Sequence, residues 1–303
     1  MTHTSTTKSK FEGRVLYDSF IYAAHHKSEW RNHSNSEDPA YIVEVDSKCT
    51  DGLVTHLQRY KLRARCQIRL LDDWNVWNTP SAEKYIGCQD SRAPEMGSRV
   101  LVPSTRRPEL NAQEGDTRDY HVKRYLNGIP EGREEISQGA ALPMEHCIDY
   151  MGGIDLHKGC YIGQELTIRT YHTGVIRKRI LPAVFYDPEQ LPPETLVYHP
   201  SEILLPSPQT PIFKDSKPRQ TPIFKDSKPG KTPIFKASKP GRNAGKFCNG
   251  IGNVGLVLAR LEDMWCAADQ KFHIHWADSN GASRIIGVKV FRPSWWPDGR
   301  GQT

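Results

Sequence analysis

The sequence predicts an α+β protein in which a mainly antiparallel N-terminal part is followed by a small C-terminal β-barrel. In the first part, short runs of alternating or aliphatic residues follow one another with short links, and one helical pattern lies among them. Short links favour antiparallel pairing. In the last part, 250–262 and 271–293 carry short strand-like runs separated by turns, which is typical of a small barrel or sandwich.

The first elements follow from hydrophobic periodicity. Residues 14–24 are rich in aliphatic and aromatic side chains and YIVEV (41–45) alternates, so both segments are predicted strands. Leucine and aromatic residues at helical spacing predict a helix within 47–64. Ser47 or Thr50 is expected to cap that helix, because a hydroxyl oxygen accepts bonds from the free N–H groups of the first turn.

Four further elements complete the N-terminal part. CQIRLLDD (66–73) and NVWNT (75–79) have the composition of strands, another strand follows the Pro/Gly turn within 90–104, and 120–127 has the pattern of a short helix. The stretch 128–159 is rich in glycine and proline. So many turns among polar residues favour a functional site over a core.

A helix and then a strand are predicted within 165–186, and the segment from about 187 to 248 is predicted to be an insertion. It contains three near-identical copies of eleven residues, TPIFKDSKPRQ, TPIFKDSKPGK and TPIFKASKPGR (210–242). Two prolines in each copy exclude a helix. We therefore expect an extended, disordered linker rich in proline and lysine, with a triplicated docking motif anchored on Ile-Phe as the alternative.

The charge distribution argues against a fold-wide nucleic-acid-binding face. The chain has a net charge of +6, but 210–242 alone holds nine basic and two acidic residues, so the remaining residues are close to neutral. Binding of nucleic acid or a scaffold through the repeat stays only as an alternative function. No apolar run reaches the roughly 18 residues that a membrane helix needs, and neither a secretory signal nor a transit peptide is expected in this sequence.

The cysteine spacing bears on metal chemistry. Seven cysteines lie at least 13 residues apart, at positions 49, 66, 88, 147, 160, 248 and 266. Because no CxxC pair is present, a self-contained zinc or iron–sulfur site is not expected. An odd number of scattered cysteines suits a reducing compartment.

The segment KGCYIGQE (158–165) holds the candidate functional residues, which are Lys158, Gly159, Cys160, Tyr161, Gly163, Gln164 and Glu165. The two glycines permit backbone angles that a side chain would block. Lys158 and a helix that starts near 162 would both stabilise a thiolate at Cys160. The Tyr161 ring would lie on one side of the thiol, and Gln164 and Glu165 would supply an amide and a carboxylate. The alternative is a buried structural cysteine, because free cysteine is among the most buried residue types.

The same segment, with RTYHTGVIRKRILP after it, resembles the signature of the YgfZ-type, folate-binding iron–sulfur cluster assembly factors, which are relatives of the glycine cleavage T-protein. The resemblance extends to GRVLYDSFIY (13–22), GIPEG, LPMEHCIDYMGGIDLHKGC, GKFCNGIGNVGLVLARLE and VFRPSWWP, and to a D-x-R-x-x-x-x-G-x-R pattern formed by Asp90, Arg92, Gly97 and Arg99. It covers nearly all of the chain outside the insertion and is greatest to the mitochondrial, fungal-like members.

The resemblance implies a T-protein-like fold, with a folate-binding-like α+β region over 1–172 and a C-terminal β-barrel domain over 173–303 that contains the insertion. It implies late maturation of [4Fe-4S] proteins in the mitochondrial matrix, with A-type iron–sulfur carriers as partners and aconitase-type and lipoate-synthase-type enzymes as clients. Cys160 would offer a thiolate to a cluster shared with the carrier, and no cluster is expected on the isolated protein. An assembly and transfer role is expected rather than enzymatic turnover.

Tetrahydrofolate is the other cofactor that the resemblance implies, with Glu145 and Tyr161 as its candidate contacts, and a tetrahydrofolate-dependent aminomethyltransferase is the alternative function. T-proteins carry Asn-Ala-x-Asn-x-x-Lys-Asp, whose aspartate serves aminomethyl transfer, whereas this chain has EVDSKCTDG (44–52). That difference counts against the transferase. Family members also begin with a substantial segment before the strand that matches GRVLYD, and 12 residues precede it here, so part of the first domain is expected to be missing.

Overall fold

The computed structural model describes residues 13–34, 38–109, 113–156, 159–161, 163–214, 243–265 and 271–297. Its first layer is a two-stranded antiparallel sheet of β1 (Ser19–Ala23) and β2 (Tyr41–Val45), with α1 (Ser28–Ser34) in the connection. β1 is shorter than the predicted strand over 14–24, whereas β2 has the predicted bounds.

The helix predicted within 47–64 is present as α2 (Thr50–Lys61), which follows a 3-10 turn. The predicted caps are wrong. Asp46 Oδ1 accepts a hydrogen bond from the Lys48 N–H (2.9 Å) at the start of the 3-10 turn, and neither Ser47 nor Thr50 caps α2. No side chain of α2 is buried, so this helix lies on the surface of the described structure.

The second layer is a three-stranded antiparallel sheet of β3 (Trp74–Thr79), β4 (Ile86–Gln89) and β5 (Ser98–Pro103), with β5 in the centre. Its side chains share a small core with the first sheet. The strand predicted over 66–73 is wrong: this segment pairs with none of the described strands, and its side chains are mostly exposed, so it has no buried face to stabilise a strand.

Two helices follow the sheets. α3 (Thr117–Leu126) confirms the predicted short helix and starts earlier than predicted, because Asp116 and Asp119 form a capping box. α4 (Gly132–Glu135) is a single turn. The side chain of Tyr125, on the inner face of α3, is buried in the core of the C-terminal part. Among the described helices, none combines the length and apolarity that a membrane crossing requires.

The C-terminal part is a closed antiparallel barrel of six strands, which are β6 (Lys178–Tyr186), β7 (Pro211–Lys214), β8 (Asn243–Ile251), β9 (Val254–Arg260), β10 (Phe272–Ala277) and β11 (Ser283–Val290). The strand order is β10-β11-β6-β9-β8-β7, so β7 closes the barrel between β8 and β10. α5 (Gln164–Thr173) precedes β6, and α6 (Leu261–Trp265) follows β9. The predicted barrel and the predicted helix and strand within 165–186 are confirmed.

The insertion predicted over 187–248 is wrong for the residues that the structure describes. β7 and the first part of β8 lie inside it, and Leu196 with neighbouring apolar residues packs against the barrel core. β7 is the PIFK of the first repeat copy. Pro211 fits there because proline is tolerated at the first residue of a strand, and the buried Ile212 supplies a core contact that a disordered linker lacks. The rest of the repeat, 215–242, lies outside the described residues.

Candidate functional site

The predicted functional segment presents Cys160 on the surface. Cys160 and Gly159 are both exposed, and a Cβ built on Gly159 would meet no atom within 4 Å. The turn is therefore open next to the sulfur. This exposure contradicts the alternative of a buried structural cysteine and agrees with a turn that presents its thiol.

Gly163 and Gln164 close the turn that follows Cys160. Gly163 has a φ of +88°, in the left-handed region that glycine adopts without strain. Gln164 Oε1 accepts a hydrogen bond from the Tyr161 N–H (3.2 Å), and the Gln164 N–H donates to the Tyr161 carbonyl (3.3 Å). This reciprocal pair fixes the backbone just before α5 and gives the Gly-Gln sequence a structural reason.

The helix after the motif starts later than predicted. Gly163 is the N-cap of α5, so Cys160 lies three residues before the cap. The helix dipole acts mainly within the first turn, so its contribution to a thiolate is smaller than predicted. Glu165 lies in that first turn and is exposed. Lys158, the other predicted source of positive charge, lies outside the described residues.

Most of the other described cysteines are less exposed than Cys160. Cys147 and Cys248 are buried, and burial raises the pKa of each thiol to about 12. Burial also raises the pKa of the Cys49 thiol. Cys66 is exposed but lies outside the motif. The described residues contain no group of three or more His, Cys, Asp or Glu placed to hold a metal ion.

A cavity of about 320 Å³ lies between α5, the start of β6 and the loop around Glu145. Glu145 lines it, and so does Thr167 of α5. The side chain of Tyr161 forms a hydrogen bond with the side chain of Thr167. Burial raises the pKa of the Tyr161 hydroxyl, and the bond with Thr167 partly offsets this effect. Of the two candidate folate contacts, Glu145 therefore lines the cavity itself, whereas Tyr161 is connected to it through Thr167.

The lining of this cavity is basic on one side and apolar on another. Arg177, Lys178 and Arg260 line it, and none of these cations has an ion-pair partner among the residues that the structure describes. Glu145 is the acidic residue of the lining, and Leu166 is one of its apolar residues. Unpaired cations beside apolar side chains suit an organic anion that has an apolar body.

A second cavity, of about 510 Å³, lies where the first sheet, α3, α4 and β8 meet. No sequence pattern predicted it. Its wall contains a buried ion pair between Arg124 Nη1 and Glu135 Oε2 (2.7 Å). The Glu135 carboxylate also accepts hydrogen bonds from the Tyr125 hydroxyl (2.8 Å) and the Glu131 N–H (2.8 Å). Glu135 therefore holds α3 and α4 together at the cavity.

Glu131 is the centre of a second set of buried charges beside this cavity. Its carboxylate accepts a hydrogen bond from the Tyr120 hydroxyl (2.6 Å) and pairs with Arg92 Nη1 (2.8 Å) and Arg99 Nη1 (3.3 Å). Burial acts to raise the pKa of Glu131. The guanidinium groups of Arg92, Arg99 and Arg124 outweigh it and hold this pKa well below its ordinary value.

The D-x-R-x-x-x-x-G-x-R pattern serves this charge network. Asp90 accepts two hydrogen bonds from the Arg92 side chain (2.9 and 2.7 Å), and Arg99 pairs with Glu44 of β2. Gly97 has a φ of +81°, and a Cβ there would lie 2.7 Å from a carbonyl oxygen of β3. The pattern is thus explained by buried ion pairs and a close backbone contact.

Comparison with known proteins identifies a family model for the C-terminal barrel and relatives that match most of the chain. Residues 177–298 match the family model of the CAF17 C-terminal beta-barrel domain. A protein of Coccidioides immitis is 37% identical over 326 residues, which cover 95% of this chain and 72% of the relative. A protein of Neosartorya fischeri is 35% identical over 344 residues, covering 97% and 72%.

A protein of Neurospora crassa is 35% identical over 324 residues, covering 95% of this chain and 71% of the relative. All three relatives are named mitochondrial iron–sulfur cluster assembly factor IBA57 homologs. Identity above 30% across more than two thirds of each relative is sufficient to assign the family. The chain therefore belongs to the family of the IBA57 homologs.

Proposed function

We propose that this protein is a mitochondrial iron–sulfur cluster assembly factor, as the names of its relatives state for those proteins. The observation that carries the proposal at residue level is the exposure of Cys160 in an open turn. Its thiolate binds one iron of a cluster that is the cargo of the protein. The names of the relatives support a mitochondrial location, and we assign the protein to the matrix.

The cluster is shared with a partner protein. Iron–sulfur clusters are usually held by four cysteine thiolates, and the described residues offer no cluster of metal ligands around Cys160. The remaining ligands therefore come from the partner. We infer an A-type iron–sulfur carrier as this partner and late maturation of [4Fe-4S] clients, such as aconitase-type and lipoate-synthase-type enzymes, as the role.

The folded arrangement that accompanies this role is T-protein-like, with the parts of the chain placed around a central hole. The larger cavity supports this arrangement. Its wall takes residues from the first sheet, from α3 and α4, and from β8 of the barrel, so both predicted domains contribute to it.

Reconstitution with an A-type carrier tests the role of Cys160. We expect the wild-type protein to increase the yield and lifetime of the cluster, and Cys160→Ser to lose most of this effect. Cys66→Ser is the matched control, because Cys66 is also exposed but lies outside the motif. Equal cluster formation and stability with wild type and Cys160→Ser would refute the assignment.

A tetrahydrofolate-dependent one-carbon transferase is the second candidate, and the cavity beside Glu145 is the observation that favours it. Glu145 would accept hydrogen bonds from the pterin, and Arg177 and Arg260 would face the carboxylates of the cofactor. Tyr161 would act through Thr167. Bound tetrahydrofolate would supply the carrier of the one-carbon unit. The names of the relatives support assembly over this candidate.

Titration with tetrahydrofolate tests the second candidate. Saturable binding that Glu145→Gln weakens, and turnover that depends on Glu145, would support it. Glu165→Gln is the control, because this carboxylate is exposed and does not line the cavity. Undetectable binding at millimolar folate would rule the candidate out.

A further inference from the structure

The barrel closes only because β7 occupies the position between β8 and β10. β7 pairs with β10 through Ile212↔Ile274 and Phe213↔His273, and with β8 through Ile212↔Gly245. Without β7, the facing edges of β8 and β10 would have unpaired backbone groups and the barrel would be open. This position is therefore a binding site for one short strand.

The site selects its strand through three side chains. Ile212 is fully buried in the barrel core. The ring of Phe213 lies 6.2 Å from that of His273, measured between centroids. Lys214 Nζ lies 3.1 Å from Asp263 Oδ1.

The contact with Asp263 makes the lysine specific. Asp263 is 5% exposed, and among the residues that the structure describes its other carboxylate oxygen has no hydrogen-bond partner. A buried carboxylate is costly without a cation beside it. The site thus requires a strand of the form Ile-Phe-Lys, and a proline before it is tolerated because the first residue of a strand can lack an N–H.

The chain contains three segments that meet this requirement. TPIFK occurs at 210–214, 221–225 and 232–236, and the five residues are identical in all three. No side chain of the site can therefore distinguish one segment from another. Outside these five residues the segments differ in the lengths of chain before and after the strand, and in flanking residues, since the third segment has Lys231 and Ala237 where the first has Gln209 and Asp215.

These lengths do not exclude any of the three segments. With the first segment in place, 28 residues connect β7 to β8, and with the third segment six residues would do so. The 22 residues that differ would then precede the strand. The entropy of closing a flexible loop changes only slowly with its length, and a six-residue connection is long enough to join antiparallel neighbours.

We propose that the position between β8 and β10 is a strand-binding site that any of the three TPIFK segments of the same chain can fill. The two segments that are not bound are interchangeable replacements for the bound one. If a substitution in the first copy weakens its binding, the second or third copy then takes its place in the barrel. This inference concerns the barrel alone and is independent of the proposed function.

Substitutions at the buried isoleucine test the proposal at constant chain length. We expect Ile212→Asp to keep one cooperative thermal transition, with the Tm lowered by less than about 5 °C. The double variant Ile223→Asp with Ile234→Asp, which damages the other two segments, should behave in the same way. The triple variant should lose the transition, because no intact segment remains to bury its isoleucine.

Three results would overturn the proposal. Ile212→Asp could lose the transition as completely as the triple variant does, which would show that only the first segment fits. The triple variant could fold, which would show that the site needs no such strand. Ile212→Asp could become a dimer in size-exclusion chromatography, which would show that a second molecule supplies the strand.

Disulfide trapping measures strand exchange without damaging a segment. His273→Cys is combined with Phe213→Cys, Phe224→Cys or Phe235→Cys, one pair in each variant. Paired residues in adjacent antiparallel strands have Cβ atoms about 4.5–5.5 Å apart, so a cysteine in the bound strand can reach position 273. Peptide mass spectrometry should find the cross-link in all three variants, and a cross-link with position 213 alone would contradict the proposal.

Discussion

Replacing Glu135 by leucine removes the carboxylate that joins α3 and α4 beside the larger cavity. Arg124 is then left buried without its counter-charge, and the Tyr125 hydroxyl loses an acceptor. Removing one partner of a buried ion pair costs about 3–5 kcal/mol, and an unpaired buried donor costs about 1–3 kcal/mol. Because such contributions overlap, we expect the free energy of unfolding to fall by about 4 kcal/mol or more.

Urea denaturation followed by circular dichroism measures this change. Glu134→Leu is the matched control, because the neighbouring Glu134 pairs with Lys48 on the surface and its loss should leave stability near the wild-type value. Adding Arg124→Met to the Glu135→Leu variant should restore part of the lost stability, since it removes the unpaired charge. A Glu135→Leu variant within about 1 kcal/mol of wild type would refute this account of the charge network.

Three further changes have defined outcomes. Alkylation of the folded protein should modify Cys66 and Cys160 and spare Cys147, because burial raises the pKa of the Cys147 thiol to about 12; peptide mass spectrometry identifies the sites. The pKa of Glu131 lies below its ordinary value of 4.5, so its contribution to stability is complete above pH 4.5 and is lost as the pH falls through the folded-state pKa. Glu131→Gln should therefore weaken the acid dependence of urea unfolding. Gly163→Ala should cost about 1–2 kcal/mol, because its φ of +88° disfavours a side chain, and should slow cluster assembly.

Each of these predictions has a control variant or a result that would contradict it. Gly159→Ala should be neutral for stability, since its Cβ would meet no atom; equal losses at both glycines would mean that the left-handed backbone is not the cause. Rapid alkylation of Cys147 before unfolding would contradict its burial. An unchanged acid limb in Glu131→Gln would show that the arginines around this carboxylate do not set its titration.

The fold was predictable wherever the signal is local. YIVEV alternates along β2, and the periodic side chains of 50–61 form α2, so both elements were found from their own residues. CQIRLLDD (66–73) has strand composition but no strand, because strand formation depends on packing against partner strands, which composition alone does not report. β7 was missed for the opposite reason, since only the barrel around Ile212 shows that a proline-flanked repeat can be a core strand.

The site was predictable to the same extent. Glycine at 163 indicated a special backbone conformation, and the structure gives it a left-handed φ. The exposure of Cys160 could not be predicted, because the local sequence around a cysteine does not show whether its thiol is buried or exposed. The Arg124–Glu135 pair joins two helices through side chains whose burial, not their spacing, makes them important. No sequence pattern indicates that Arg124 and Glu135 lie beside the buried charge network that contains Arg92.

The spectrum of the cluster bound by this protein together with an A-type carrier tests the central claim most directly. Resonance Raman bands of the iron–sulfur bonds report which thiolates ligate the irons, so wild type and Cys160→Ser can be compared in the same complex. If Cys160 supplies one ligand, the serine variant shifts or loses terminal iron–sulfur bands while Cys66→Ser leaves them unchanged. Identical spectra for wild type and Cys160→Ser, at equal occupancy of the complex, would contradict the account.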